Sequence, residues 1–410
     1  MANSILVQRG MKMRKTVTLA LVLLLFAGAV FGQGKIKIGG LFVMSGGFAA
    51  VLNYQLPAVQ MVIDDVNKAG GIGGRQIELV LRDDQGDPSI VPQKMNELKA
   101  EGVSMILGPF LDTCGPAAAQ WAGANKIPVI MTCSMSTKVS IDNFTKYSFT
   151  SGPSAWAMAR VIARAAVQQG VNSAYYIGPE GGVPTDMYNF FWAEMKKLKP
   201  SAVNLGASRT TQAETDFSNI ISAALSKKPD LIVETHAGPT WVAFAQQAQR
   251  FNLFQKTKIG GLYLLGPDNT EPFGKDYPMG VQAVTWCPFY SADPKIKSFT
   301  ASYLAKTKLY PADITMTWDL AALAAIAALK QASNPTPDAI VKALEAVNFD
   351  SPIGSVHFRT FDHQAVFPLY YGTSMNSNDW PFAIGTNLVK YGEEVFPTQA
   401  EMNSFKAGQQ

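Results

Sequence analysis

Short apolar runs alternate with helix-period segments along most of the chain. Ile36–Phe42, Ile77–Leu81, Val103–Leu107 and Ile127–Met131 are almost continuously apolar, as strands of a sheet covered on both faces must be. Between the first two, Val59, Val62, Ile63 and Val66 fall at i, i+3, i+4 and i+7, which is one face of a helix. Helices are also expected from Pro88 to Glu101 and from Pro116 to Ala124. A second series opens with helix Ser154–Gln169 and strand Ala174–Ile177, then a helix carrying Phe191, Met195 and Leu198. Strands Val203–Ala207, Leu231–Thr235 and Ile259–Leu265 follow, separated by helices Asp216–Leu225 and Trp241–Phe251. Alternation of this kind predicts an α/β fold with parallel sheets and helices on both faces. The length, 410 residues, predicts two such sheets.

The last third is less regular. Strand Val281–Trp286 leads to helices Pro294–Lys308, Thr315–Gln331 and Pro337–Ala346, then to short strand patterns at Ser355–Phe361, Val366–Gly372 and Phe382–Val389. This order reads as extra helices on one sheet and late strands on the other.

The first 32 residues stand apart. Lys12, Arg14 and Lys15 precede an apolar run, Val17–Phe31, that ends among small residues and is short for a membrane span. Positive residues before a short apolar stretch are the pattern of an export signal, with cleavage after Gly32 or after Ala29. No Cys follows the run, so a lipid anchor is not expected there. The signal also explains the charge. The formal net charge of +4 comes from 35 basic and 31 acidic residues, and Arg9, Lys12, Arg14 and Lys15 account for all of the excess. A mature chain of zero net charge has no electrostatic reason to bind nucleic acid or an anionic membrane.

Catalytic patterns are sparse. None of His236, His357 and His363 has a helical partner spaced for a metal, and Cys114, Cys133 and Cys287 match no zinc spacing. Cys114 and Cys133 either pair across neighbouring strands or sit as small buried hydrophobes. No G-x-S-x-G elbow and no complete P-loop occurs. The Gly70–Gly74 cluster follows a helix and precedes a strand, the order of a helix cap and turn rather than of a dinucleotide loop. Asp83 and Asp84 read as a strand-end pair held by loop amides. No enzyme, cofactor or metal is expected.

Polar groups suited to binding gather instead in loops at strand C-terminal ends. Ser45-Gly46-Gly47, Asp112-Thr113-Cys114-Gly115 and Ser134-Met135-Ser136-Thr137 follow strands of the first series, and Gly178–Thr185, His236-Ala237-Gly238 and Asp268-Asn269 follow strands of the second. In an open α/β sheet this edge is where ligands sit.

Several of these segments together resemble a known family. Lys35-Ile36-Lys37-Ile38-Gly39, Met44-Ser45-Gly46, Asp65-Val66-Asn67-Lys68-Ala69-Gly70-Gly71-Ile72, Arg82-Asp83-Asp84 with Asp87-Pro88, and Leu107-Gly108-Pro109 resemble, in order and spacing, the type I periplasmic solute-binding proteins of the branched-chain amino-acid class. The resemblance implies two Rossmann-like lobes joined by three hinge crossovers, near Gly152, Pro288 and His357. One lobe would hold residues 33–152 and 288–357, the other 153–287 and 358–410. It also implies a small-molecule ligand, an amino acid or related compound, an ABC transporter permease as partner, a monomer, and a periplasmic location. A module sensing small amides or aromatic acids is the alternative.

The resemblance places the site residues as follows. Asp112 stands where the family has a Ser or Thr facing a ligand carboxylate, so a carboxylate there would be repelled unless Thr113 takes the role. Ser134, Met135 and Ser136 form the loop expected to hold the ligand head group, with Ser45 on the neighbouring strand-end loop. Val183 and His236 fall near positions where aromatic residues pack on the ligand. Asp268, in Gly266-Pro267-Asp268, matches the acid that pairs with a ligand ammonium. Trp156 either supplies replacement aromatic surface or is structural.

Overall fold

The computed structural model describes residues 34–332 and 335–408, so the expected leader over residues 1–32 lies outside them. The first sheet is built by β1 (Ile36–Phe42), β2 (Ile77–Asp83), β3 (Ile106–Leu107), β4 (Val129–Met131) and β5 (Ser148–Thr150). Their order is β2-β1-β3-β4-β5 and every pairing is parallel. Helices α1 (Leu52–Lys68), α2 (Val91–Ala100) and α3 (Gly115–Asn125) make the crossovers. The helical face anticipated on α1 is the buried one: Val59, Val62, Ile63 and Val66 all lie in the core. Leu107-Gly108-Pro109 has a packing reason. Gly108 has φ +97°, and a Cβ there would collide with the Leu41 carbonyl and press on the Trp318 ring.

The second sheet follows the same logic with α4 (Ala155–Gln168), β6 (Ser173–Pro179), α5 (Gly182–Leu198), β7 (Val203–Thr210), α6 (Ser218–Ser226), β8 (Leu231–Glu234), α7 (Gly238–Arg250), β9 (Lys258–Leu262), the single-turn α8 (Pro267–Thr270) and β10 (Val281–Thr285). Next come α9 (Pro294–Thr307), α10 (Asp313–Gln331) and α11 (Pro337–Ala346), then β11 (Asn348–Ser351), β12 (Gly354–Phe358), β13 (Ala365–Val366), β14 (Leu369–Met375), β15 (Ile384–Tyr391) and α12 (Gln399–Gly408). The sheet order is β15-β14-β10-β9-β8-β6-β7. The late strands β14 and β15 join it antiparallel. α9 and α10 pack instead on α1 of the first lobe.

The chain therefore passes between the two lobes three times. The first two passages follow β5 and β10. The third does not fall at His357. That residue sits in β12, which pairs with β11 and β13 in a small separate sheet. The Thr150–Gln364 bridge and the Gln364 amide donating to the Gly152 carbonyl tie the following segment to the first crossover. The chain enters the second sheet only at Leu369.

Candidate functional site

The C-terminal edges of the two sheets face each other. From the first lobe come the loop after β3, residues 108–114, and the loop after β4, residues 132–137. From the second come the start of α5 and the turn between β9 and α8. The first contact across the gap is made by Thr137, whose backbone N–H (2.7 Å) and hydroxyl (2.9 Å) both donate to Asp186 Oδ2 on α5. Asp186 is buried, which pushes its carboxyl above the usual range.

Asp112 lies beside this contact. Its Oδ1 accepts the backbone N–H of Ser136 at 3.0 Å, and its Oδ2 would stand 3.0 Å from a Cβ on Gly182, so glycine at the start of α5 is what admits the carboxylate. Burial raises the Asp112 pKa against the pull of these N–H groups. Ser136 is fully buried, and Met135, also buried, packs behind the loop against Gly152.

Across the gap, Asp268 on α8 is half-buried. Burial and the nearby Asp313 carboxylate push its pKa up to about 7. Asp313 opens α10. Its Oδ1 accepts from the Thr285 hydroxyl and from the backbone N–H of Trp286 and Cys287, all at 2.7 Å, while its buried Oδ2 has no partner. Tyr263 completes the wall. It has φ +38°, a left-handed conformation that a bulky residue adopts only under constraint, and its ring meets Trp286 edge-on at 5.7 Å. Burial and the charges of Asp313, Asp268 and Asp112 raise its hydroxyl pKa well above normal. Tyr54, in the first turn of α1, is raised by burial and by Asp268 and Glu271 across the gap.

The structure thus brings Asp112, Met135, Ser136 and Asp268 to one place and moves other expected residues away. Ser134 is buried with its hydroxyl against Gly115 at the start of α3. Ser45 is exposed and donates to Asp83, whose other oxygen accepts from Met44 and Gln85 N–H groups, the strand-end role read for that acid. Thr113 is exposed, and Val183 packs half-buried on the core at the α5 start. Trp156 stacks on Phe190 at 4.1 Å and leans on Phe405, so its ring serves packing within the second lobe. His236 is buried, with Nδ1 on Glu234 and Nε2 2.7 Å from Thr210 Oγ1, leaving no ring nitrogen for a ligand. Thr210 in turn donates to the Thr211 carbonyl. All three cysteines are free thiols.

Sequence reasoning placed Thr137 in a strand-end binding loop but missed Tyr54, Asp186, Tyr263 and Asp313. A carboxylate at the first position of a helix was the available signal for Asp313; nothing in the local pattern marks the others. A cavity of about 900 Å³ opens at the opposite, N-terminal edge of the second sheet, beside Asn172, Asp230 and Lys258. Its acid, Asp230, is already satisfied by the N–H groups of Asn172 and Ser173. Among the described residues no cluster suited to a metal ion occurs, and no helix is long and apolar enough to cross a membrane.

The chain is similar to known proteins over most of its length. A Leu/Ile/Val-binding protein homolog 7 of Brucella suis biovar 1 is 23% identical over 355 residues, covering 83% of this chain and 88% of that one. Homolog 8 of Brucella abortus is 24% identical, covering 76% and 80%. Among solved structures, the leucine-, isoleucine-, valine-, threonine- and alanine-binding protein of Brucella ovis in its closed conformation superposes with a TM-score of 0.79 at 18% identity, covering 89% of this chain and 97% of that one. The solute-binding protein of an ABC transporter from Rhodopseudomonas palustris BisB5, bound to 3,4-dihydroxybenzoic acid, gives 0.77 at 18%, covering 87% and 97%. The two-lobed fold, with its strand-end loops facing across the gap, accords with the periplasmic binding protein family model, which matches residues 35–378, and the chain belongs to that family.

Proposed function

We propose that the protein is an exported receptor that captures an amino acid or related small amine between its lobes and delivers it to an ABC transporter permease. The carrying observation is the pair Asp112 and Asp268, set on facing sheet edges while Thr137 and Asp186 join the lobes beside them. The leader over residues 1–32 would be removed, and the lobes would divide at the three passages described above.

Engulfment is what this geometry supplies. A ligand of about ten heavy atoms gains at most about 15 kcal/mol even at the best small-ligand efficiency. Micromolar affinity needs about 8 kcal/mol, so nearly the whole ligand surface must be covered. Closing two lobes covers it and gives a transporter a shape that differs between empty and loaded receptor. The ligand would reside among Asp112, Ser136, Tyr54, Tyr263 and Asp268. No catalytic role is proposed, because the Glu234–His236–Thr210 chain, which has the connectivity of an acid–base–hydroxyl relay, is buried with its hydroxyl proton given to Thr211.

A thermal-shift screen of amino acids, amines, amides and aromatic acids tests the reading, since a ligand at 100 times its Kd adds about 2.7 kcal/mol of stability. A hit that also lowers the radius of gyration in small-angle scattering supports it. Turnover of a hit into product would replace it with an enzymatic one.

A further inference from the structure

One backbone donor at the mouth of the first lobe is already in use, although the buried Ser136 hydroxyl beside it has no partner among the described residues. A backbone N–H at a strand-end loop is a natural holder for a ligand carboxylate. Here the Ser136 N–H is taken by the chain's own Asp112, whose other oxygen lies against the glycine that opens α5. The protein carries an internal carboxylate where an external one would need to sit. Farther in, Asp268 keeps accessible surface and accepts no hydrogen bond from another side chain among the described residues. The Oδ2 of Asp313 is buried, 4% of that residue being exposed, and has no partner among the described residues. A buried polar atom left unpaired is costly, so it marks a place for a donor that the protein does not supply. No Lys, Arg or His pairs with any of the three acids among the described residues; the cation acting on Asp112 is Lys138, which is exposed. The remaining groups facing the space are Tyr54, Tyr263, Glu271 and the Cys133 thiol, and none of them carries positive charge.

We propose that the ligand is an organic cation without a free carboxylate, an amine, diamine or amine amide, with its ammonium between Asp268 and Asp313 and a second donor facing Asp112. This rests on the receptor reading and narrows its ligand class. An α-amino acid or an aromatic acid would bring a carboxylate against Asp112 in a water-poor gap, where like charges repel most strongly. An ammonium instead supplies the donors that Asp268 and Asp313 lack. The raised pKa of both acids in the empty protein fits uncompensated negative charge, since a neighbouring cation would hold them lower.

The test is calorimetric titration of the mature protein with matched probes: leucinamide against leucine, putrescine against 4-aminobutyrate, and 4-hydroxybenzoate. The proposal expects the member lacking a carboxylate to bind about tenfold or more tightly in at least one pair, with no binding of 4-hydroxybenzoate. It also expects Asp112→Ser, which frees the Ser136 N–H, to narrow that preference by about tenfold while putrescine affinity falls. Preference of the wild type for a carboxylate in both pairs overturns the cation assignment and leaves the receptor reading standing. An unchanged preference in Asp112→Ser overturns the role of the internal carboxylate. Failure of every probe to bind, together with an unchanged scattering profile, overturns both readings.

Discussion

Closure of the lobes should depend on Asp186. One of its carboxylate oxygens receives two donors from Thr137, at 2.7 and 2.9 Å, and these donors come from the opposite lobe. When the lobes part, water replaces them. A hydrogen bond to a charged group contributes about 1.5–3 kcal/mol net, and two on one oxygen share its charge, so the pair is worth less than twice that. Asp112 and Asp142, both acting on Asp186 as like charges, reduce it further. About 2–3 kcal/mol remains for the closed over the open form. If ligand is held tightly only in the closed form, that difference passes directly into affinity. Asp186→Ala should therefore weaken binding about 30- to 150-fold. Thr137→Val, which keeps the backbone donor and removes the hydroxyl, should weaken it about fivefold, the value of one ordinary hydrogen bond. The double variant should lose less than the sum of the two, because both substitutions remove the same hydroxyl–carboxylate contact. Calorimetric titration gives the affinities, and scattering with saturating ligand shows whether the variant still closes. Wild-type affinity in Asp186→Ala, within threefold, would remove this contact from the closing mechanism.

Asp268→Asn keeps the side-chain shape and removes its charge. It should weaken an amine ligand about 30- to 5,000-fold, the span for one partner of a desolvated charge pair, with little change in melting temperature; unchanged affinity would sink its assignment as the ammonium partner. Trp156→Ala should lower stability by about 3 kcal/mol through lost packing on Phe190 and leave affinity within threefold, which a ligand-facing Trp would not. The empty protein should melt higher at pH 5 than at pH 8. Burial raises Asp268 to about 7, Asp313 to about 6 and Asp319 to about 8, so the folded state holds protons that the unfolded chain has released, and stability falls as pH rises through that window. His363, lowered by burial, acts the other way, but one group opposes three. The lowered surface acids, such as Asp64 and Glu97, act only at more acidic pH. A melting temperature that is flat or rising from pH 5 to pH 8 would contradict the sign.

Most of the fold was legible because parallel strands buried on both faces leave uninterrupted apolar runs. β1 spans the Ile36–Phe42 anticipated, and α11 the Pro337–Ala346. The losses have physical causes. β3 keeps only Ile106–Leu107 of the run Val103–Leu107, since apolar character reports burial and not ladder bonds. β5 was missed because a three-residue edge strand, Ser148–Thr150, carries two hydroxyls. What the sequence did carry was position: Asp112 and Asp268 stand at strand-end turns, as expected. It did not carry what a side chain meets across a turn: His236 turns into its own lobe toward Glu234, and Trp156 finds Phe190.

Asp313 joins the two halves of the argument. With one oxygen it gathers Thr285, Trp286 and Cys287, the residues through which the chain leaves the second sheet for the first lobe. With the other it adds unpaired negative charge near Asp268 and Tyr263. Any shift of that passage must move the α10 start, and with it the charge near Asp268 and Tyr263. The same contact holds Trp286, against whose ring Tyr263 rests in its constrained left-handed turn. The proposed cation between Asp268 and Asp313 would act on a side chain that also anchors the passage, which would couple recognition and lobe geometry through that carboxylate.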